Sequence, residues 1–570
     1  MRFSRLLSLV FVLGISAFVA GCSDPAEPTG IQTGPGNSGN EKPGGPGDEP
    51  QPPTEFIIPE YADDYSSIAS WANHDKWNLA NVHDPSIAYY DGYYYMYGTD
   101  ASYGNEHLKA STGRHFPGKR SKDLVNWTYV PGPMNDAPAW VADSLTAIRA
   151  RMGLDPIKNI SYGYWAPVVR NIGDRLRMYY CIVINNNIKT GSTDFDGSWG
   201  ERAFIGMCES TDPASGVWED KGYIVCSSTD KGRDGWARPN ANNWDGYFYY
   251  NAIDPTYLVD DPSGKHYMIY GSWHSGFALL EIDPASGKPV NAPLGEPWAD
   301  SVEDLTARYG IRVGTRTGGS RWQGSEAPEV IYKDGWYYLF MAYDGLDVPY
   351  NTRVVRSEKI EGPYYDITGR NFTNGRGDCY PIVTHPYQFS QGYGWVGISH
   401  CCIFQEEGGD DWFYCSQGRL PVNVGGNAYS NAIMMGHVRK IVWCPASADE
   451  PDNLWPIALP ERYAAVPEQK ITAEDLVGTW EHISLSYKYA EQRTSRKLEL
   501  AADGTVSGAL KGTWTYDEAK KWLTFEVGED KVVVCVELEV DWEASPRDVT
   551  LVYAGTEKSL NATWWGKKVQ

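Results

Sequence analysis

Between about residues 60 and 465 one pattern recurs five times, and this repetition constrains the fold more than any other feature of the chain. Its copies are HDPSIAYYDGYYYMYGT from His83, WAPVVRNIGDRLRMYYC from Trp165, IDPTYLVDDPSGKHYMIYG from Ile253, EAPEVIYKDGWYYLFMAY from Glu326 and SHCCIFQEEGGDDWFYCSQG from Ser399. The first four carry a Pro near the entry and the fifth does not. In each, two apolar runs rich in aromatic residues flank a turn built of Asp and Gly, the signature of a β-hairpin. An isolated hairpin leaves its edges bare, whereas hairpins repeated around an axis leave only short, protected edges. The copies begin roughly 70–90 residues apart, room for a four-stranded blade and long loops. The repetition therefore predicts an all-β chain with a five-bladed β-propeller over residues 56–465.

The composition changes near Val466. Residues 466–570 contain short alternating runs (LVGTWEHISLSY, KLELAADGTVSG, KWLTFEV, VVVCVELEV, VTLVYAG) separated by Gly and Asp turns. They predict a small antiparallel β-barrel or sandwich. Gly478-Thr479-Trp480 and Gly512-Thr513-Trp514 are similar to lipocalin-like strand starts. No catalytic cluster is visible there, so a packing or spacer role is expected. Trp564-Trp565 is the one feature that speaks for glycan binding.

At the other end, Arg2 and Arg5 precede an apolar stretch from Leu6 to Val19, too short for an ordinary membrane span and read as a signal segment over residues 1–22. It ends in Val19-Ala20-Gly21-Cys22, which resembles the bacterial lipobox, with Cys22 as the lipidated residue. Lipid chains there would hold the protein at a membrane without a spanning helix. Ser23-Asp24 and Glu27 resemble the acidic tag that directs some bacterial lipoproteins to the cell surface, so a surface-exposed outer membrane lipoprotein is expected. Residues 23–55, rich in Pro, Gly, Asp and Glu, read as a flexible tether. The net charge of −23 disfavours nucleic acid and anionic lipid headgroups as partners and tolerates a neutral polysaccharide. A monomer is expected. Nine Cys remain beyond Cys22, with no Cys-x-x-Cys pair to suggest zinc and no visible pairing. The absence of a P-loop or Rossmann fingerprint gives no support to a nucleotide enzyme.

The chemistry follows from the repeat. In a propeller the first strands of the blades surround the axis, so residues at equivalent starts converge on one pocket. The aligned position holds Asp84, Ala166, Asp254 and His400 in copies one, two, three and five. Copy four places Glu326 there, shifted by one residue relative to its Pro. Three carboxyls in one funnel suit glycoside hydrolysis: one acid protonates the leaving oxygen, and one carboxylate activates water or attacks the sugar. A third raises the acid's pKa by repulsion and orients it. Singly, each residue has a bland reading, because Asp-Pro is a common turn opener.

These residues resemble glycoside hydrolase family 43, within it the endo-α-1,5-arabinanases, over roughly residues 75–445. The resemblance rests on Val82-His83-Asp84-Pro85-Ser86, Tyr164-Trp165-Ala166-Pro167, Asn251-Ala252-Ile253-Asp254-Pro255, Tyr270-Gly271-Ser272 with Ser275-Gly276, and Glu326-Ala327-Pro328. It implies an inverting hydrolase of arabinan with Asp84 as general base, Glu326 as general acid and Asp254 as modulator of that acid. The base and acid should then stand about 6.5–9.5 Å apart. It further implies His400 as a ligand of a calcium (or sodium) ion on the axis, with water as most of the remaining ligands. His83, Trp165 and Arg419 are implied substrate contacts. Three departures stand out. The usual Glu-Gly-Pro reads Glu326-Ala327-Pro328, and Glu329 follows it inside the strand. Val168 replaces an Asp after Trp165-Ala166-Pro167, and Ser399-His400-Cys401 replaces Gly-His-Asn. Alternatives are an exo-acting α-L-arabinofuranosidase or β-xylosidase of the same fold, and a non-catalytic surface glycan-binding protein. Loops near Asn185–Asn187 and residues 194–200 are candidates for shaping an open groove.

Overall fold

The computed structural model describes residues 56–569 except 64–65, 101, 104–105, 108–113, 152, 188–190, 193–199, 229–249, 261, 292–301, 318–323 and 425–433. Cys22, the expected signal and tether segments, and most of the 194–200 loop lie outside the described residues.

Five four-stranded antiparallel sheets follow one another along the chain. Blade I consists of Ser86–Tyr90, Tyr93–Tyr97, Gly118–Ser121 and Thr128–Val130, and blade II of Tyr162–Asn171, Leu176–Ile184, Arg202–Asp212 and Val217–Cys226. Blade III comprises Thr256–Asp260, Lys265–Tyr270, Phe277–Ile282 and Ile311–Gly314. Blade IV comprises Ser325–Lys333, Trp336–Tyr343, Asn351–Ser357 and Ile382–Thr384. Blade V comprises Val396–Gln405, Trp412–Arg419, Met434–Pro445 and Leu454–Ala458. The first strand of each blade packs against that of the next, and blade V returns to blade I, closing the ring. Inner strands therefore have a neighbouring blade on both faces. Leu176–Ile184 is buried at every position and, apart from Arg177, which pairs with Glu209, reads as a continuous apolar run rather than an alternating one. The hairpins turn where expected, with Asp91-Gly92 and Asp334-Gly335 both at positive φ, the geometry of a two-residue primed turn.

The ring is clasped by the chain ahead of blade I. The Asn81 amide donates to the Met434 carbonyl at 2.9 Å and that of Gly436 to Leu79 at 2.7 Å, so residues 79–81 lie along a blade V strand. Asp63 pairs with Arg462 just beyond that blade.

After Ala458 the chain runs through a connector to an eight-stranded closed barrel whose first and last strands, Gly478–Ser486 and Ala562–Lys568, pair with each other. Closure decides between the two expected forms: the C-terminal domain is a barrel, not a sandwich. Its interior is filled by Trp480, Phe525, Tyr553, Trp564 and aliphatic side chains. Its outer face joins the propeller core through Ile483, Leu485, Cys535, Val552, Ala554 and Trp565. At about 1.5–3 kcal/mol for each large side chain removed from water, this junction holds the barrel firmly to the propeller. Trp564 and Trp565 are both buried, which removes the sequence argument for glycan binding at that pair. All nine Cys of the described residues are buried free thiols.

Candidate active site

The repeat position has one backbone signature. Asp84, Ala166, Asp254, Ala327 and His400 all adopt left-handed backbone, with φ of 47°, 41°, 55°, 54° and 56°. Each blade thus enters its inner strand through the same pivot, which turns one side chain onto the axis. Such backbone costs a non-glycine residue about 1–3 kcal/mol and persists where packing enforces it. In blade IV the pivot is Ala327, so the functional side chain is the one before it, Glu326. The left-handed backbone also gives a physical reason for the glycine usual at this position in the family pattern.

The five pivots bring Asp84, Asp254, Glu326 and His400 together. Asp84 Oδ1 lies 2.9 Å from His400 Nδ1 and 3.4 Å from His83 Nε2. Its Oδ2 accepts from Thr99 Oγ1 at 2.6 Å, and its backbone amide donates to Gln417 Oε1 at 2.6 Å. Burial alone would raise the Asp84 pKa, but the His400 and His83 charges and the hydrogen bonds from His400 and Thr99 hold it well below the carboxylate range. Asp84 is therefore an anion. Its partner His400 is pushed up to about 9: burial opposes its charge, and Asp84, Asp254 and Glu326 outweigh burial. His83 is brought down to about 4 by burial, against the pull of Asp84, so it is neutral at pH 7.

Glu326 occupies a different environment. Its Oε2 accepts from Ser272 Oγ at 2.9 Å and from Trp273 Nε1 at 2.7 Å, and its Oε1 accepts from Tyr350 OH at 2.7 Å. Burial raises its pKa and the Asp84 charge adds to that, while His400 and the Tyr350 and Ser272 hydrogen bonds act the other way; the net direction is up. Asp254 Oδ2 accepts from the Ala327 amide at 3.1 Å, fixing the turn that carries Glu326. Asp254 is pushed up to about 8, first by burial and then by Glu326 and Asp84 against His400. The repulsion expected to act on Glu326 thus falls on Asp254 as well, which keeps its proton at pH 7 beside an ionised Asp84, while Glu326 is displaced in the same direction. Tyr350 OH also lies 3.5 Å from His400 Nδ1. Contacts of 2.9, 3.5 and 2.7 Å end to end cap the Asp84 Oδ1 to Glu326 Oε1 separation at about 9 Å.

The remaining expected residues fall around this group. Trp165 directly precedes the blade II pivot and is half-buried, its indole occupying the space that Gly163 leaves by lacking a Cβ. Arg419 is buried at the end of a blade V strand; its Nε donates to the Leu346 carbonyl at 2.8 Å, and its charge helps lower the His83 pKa. Glu329 lines a small cavity on the axis with Asp84, Asp254 and His400, but its carboxylate is turned to other partners than Glu326. It lies in the strand, with Oε1 on Arg170 Nη2 at 2.6 Å and on the Ile403 amide at 3.1 Å, and Oε2 on Thr256 Oγ1 at 2.6 Å. It ties blade IV to blades II, III and V.

Among the described residues no three His, Cys, Asp or Glu side chains are grouped to hold a metal ion. With Nδ1 on Asp84, His400 offers one nitrogen, whereas calcium takes six to eight oxygens. The chain's own donors therefore do not fit calcium by themselves, and no chemical step is derived through an ion.

Sequence reasoning missed Tyr350, Trp273, Thr99 and Gln417. Gln417 sits on a second strand and the others in loops that follow or precede strands; Thr99 and Gln417 fall inside the quoted copies, but at positions the repeat does not mark. Ser272 lay within a quoted motif without a role.

Fold and site together define a glycoside hydrolase: a propeller whose axis gathers an anionic carboxylate and a second carboxyl whose pKa is raised. The sequence profile of the glycosyl hydrolases family 43 matches residues 79–443, and that of a C-terminal lipocalin-like domain matches residues 460–566. The chain belongs to glycosyl hydrolases family 43. It is 24% identical over 514 residues to an extracellular endo-α-(1→5)-L-arabinanase of Thermotoga petrophila, covering 87% of this chain and 94% of the relative. It is 24% identical over 456 residues to extracellular endo-α-(1→5)-L-arabinanase 2 of Bacillus subtilis, covering 76% and 82%. An extracellular exo-α-(1→5)-L-arabinofuranosidase of Cellvibrio japonicus is 25% identical over 339 residues, covering 58% and 77%. The crystal structure of endo-1,5-α-L-arabinanase from Thermotoga petrophila RKU-1 superposes with a TM-score of 0.63 at 23% identity, over 87% of this chain and 99% of that one.

Proposed function

We propose that this chain cleaves internal α-1,5-L-arabinofuranosidic bonds of arabinan with inversion of configuration. One observation carries the reading: ionised Asp84 and Glu326, whose pKa is raised by burial and the Asp84 charge, lie no more than about 9 Å apart in one buried group. That bound admits the spacing of about 6.5–9.5 Å that a base and an acid with one water between them need, and the resemblance to family 43 is what favours inversion. Asp84, held as an anion by His400 and Thr99, takes a proton from the attacking water. Glu326 gives its proton to the leaving glycosidic oxygen, and Tyr350, Ser272 and Trp273 stabilise the carboxylate that remains. Asp254 grips the Ala327 amide and so sets the aim of Glu326. His83, Trp165 and Arg419 contact the sugar. The two endo-acting relatives, each matched over most of its length, support arabinan as substrate and internal cleavage as mode.

The test is product analysis on linear debranched α-1,5-arabinan early in the reaction. A ladder of oligosaccharides with a rapid fall in viscosity supports the reading. Release of arabinose or one short oligomer alone moves the function to the exo-acting alternative, and no product sends it to glycan binding. We further infer export as a monomer anchored through lipid at Cys22, with the tether lifting the propeller from the outer membrane surface; palmitate labelling lost in Cys22→Ala tests this. The calcium (or sodium) ion expected on the axis, held by His400 and mostly by water, is also proposed and requires His400 in its neutral form; full activity after chelation with no calcium in the isolated protein rejects it.

A further inference from the structure

The barrel reaches the rim of the catalytic pocket through one loop. Tyr487, just past the barrel's first strand, donates from its OH to Asp344 Oδ2 at 2.8 Å. Its ring lies under the Arg353 guanidinium, 4.9 Å from the centroid. The next amide, of Lys488, donates to His385 Nε2 at 3.2 Å. Asp344, Arg353 and His385 all belong to blade IV or its edge. Asp344 also accepts from Asn351 Nδ2 at 3.1 Å and pairs with Arg316 at 2.8 Å, and Asn351 adjoins Tyr350, which holds Glu326. The loop is thus seated on the same short stretch of chain that positions the acid.

Seated there, it presents the Tyr489 residue to solvent, 62% exposed; partial burial of its hydroxyl raises the pKa, and the nearby Asp344 and Asp347 charges add to that. The 344–347 segment leads back to the site, because the Leu346 carbonyl accepts from Arg419 beside His83. Leu346 (40% exposed) and Val422 (48%), three residues beyond Arg419, are among the few large apolar side chains left open to water. An aromatic ring on an anchored loop offers a rigid, amphipathic surface with little ordering entropy left to lose, the property that makes Tyr a frequent contact residue.

We propose that the barrel supplies a sugar-binding platform at the rim of the propeller pocket, with Tyr489 as the ring that receives a pentofuranose unit outside the cleavage point. Tyr487 is its positioning residue. The proposal rests on the polysaccharide-cleaving reading above and adds that the C-terminal domain takes part in binding long chains.

The test compares Tyr489→Ala, Tyr489→Trp and Tyr487→Phe with the full-length parent on linear arabinan and on a series of arabino-oligosaccharides down to the shortest one cleaved. Tyr489→Ala should raise KM on the polymer and long oligomers about three- to tenfold, the range of one aromatic contact, with kcat and the shortest substrate unchanged. Tyr489→Trp should restore KM. Tyr487→Phe should show a smaller rise with the same length dependence. KM unchanged at every length, or a loss equal at every length, overturns the proposal. If the parent leaves arabinan intact, the arabinan reading fails on its own, and the same length comparison on the pentose polymer it does cleave still decides the platform.

Discussion

Replacing Glu329 by Ala tests the division between holding the propeller together and doing chemistry. Glu329 is 4% exposed, and its carboxylate takes hydrogen bonds from Arg170, Thr256 and the Ile403 amide. Truncation leaves the Arg170 guanidinium without its partner and two other donors unsatisfied. Breaking a buried ion pair from one side costs about 3–5 kcal/mol. Arg170 retains 18% exposure and its bonds to Ser86 Oγ and the Val169 carbonyl, which places the loss near the lower bound, about 3 kcal/mol. With an unfolding entropy of about 2.1 cal/mol/K per residue over the roughly 370 residues of the blades, that is a fall in Tm of about 4 °C. Glu329→Gln keeps an acceptor for Arg170 and Ile403 and a polar contact to Thr256, so its fall should be about half as large. Neither change touches the Asp84–Glu326 pair. At a temperature where all variants are folded, kcat should therefore stay within about threefold of the parent, while Glu326→Gln should lose at least about a hundredfold with an unchanged Tm. The assay is scanning calorimetry alongside initial rates on debranched arabinan. A folded Glu329→Ala that has lost kcat, or a Glu326→Gln that keeps it, refutes the assignment of the acid.

Asp84→Asn should lower kcat by at least about a hundredfold and retain the fold, because the amide cannot accept the water's proton; a folded variant within about tenfold of the parent rules out Asp84 as base. Tyr350→Phe removes a donor that favours the charged form of Glu326, so the Glu326 pKa should rise further. The alkaline limb of the kcat/KM profile should then move to higher pH, with kcat about tenfold lower, and a limb that moves down or stays reverses the argument. Ala327→Gly relieves left-handed backbone but adds unfolded-state entropy and removes a methyl group packed on Ala342 and Tyr350. Its stability change should stay within about 1 kcal/mol, a small Tm shift by calorimetry, and a large fall would show that φ at this pivot is not strained. Removal of residues 1–55 should leave kcat on soluble oligosaccharides unchanged, since the clasp that closes the ring uses Asp63 and residues 79–81.

What could be read from the chain alone follows from what repeats. Five hairpins share one entry, so the convergence of Asp84, Asp254 and His400 is visible as one aligned column, and the structure adds that each entry is a left-handed pivot. Even the one-residue offset of Glu326 has a physical sense, because the pivot of blade IV is Ala327 and the inner strand bulges between Glu326 and Glu329. The groups that tune these side chains do not repeat. Tyr350 leads into a third strand, Ser272 and Trp273 follow a second strand of a different blade, and Gln417 arrives from blade V, 333 residues from the amide it accepts. Each contact is made once, by tertiary geometry, and leaves no periodic mark. The barrel shows the same boundary. Alternating runs serve a sandwich and a barrel equally; closure depends on pairing Gly478–Ser486 with Ala562–Lys568, a contact no local pattern encodes. Yet the Trp564-Trp565 pair could have been judged sooner. Adjacent strand residues face opposite ways, so two consecutive Trp in a strand cannot form one flat sugar platform. One fills the barrel and the other meets Tyr387 of the propeller at 5.1 Å, so each has its own core to fill. An exposed ring on a turn, as at Tyr489, faces no such constraint, and that is where an aromatic contact for a polysaccharide should be sought.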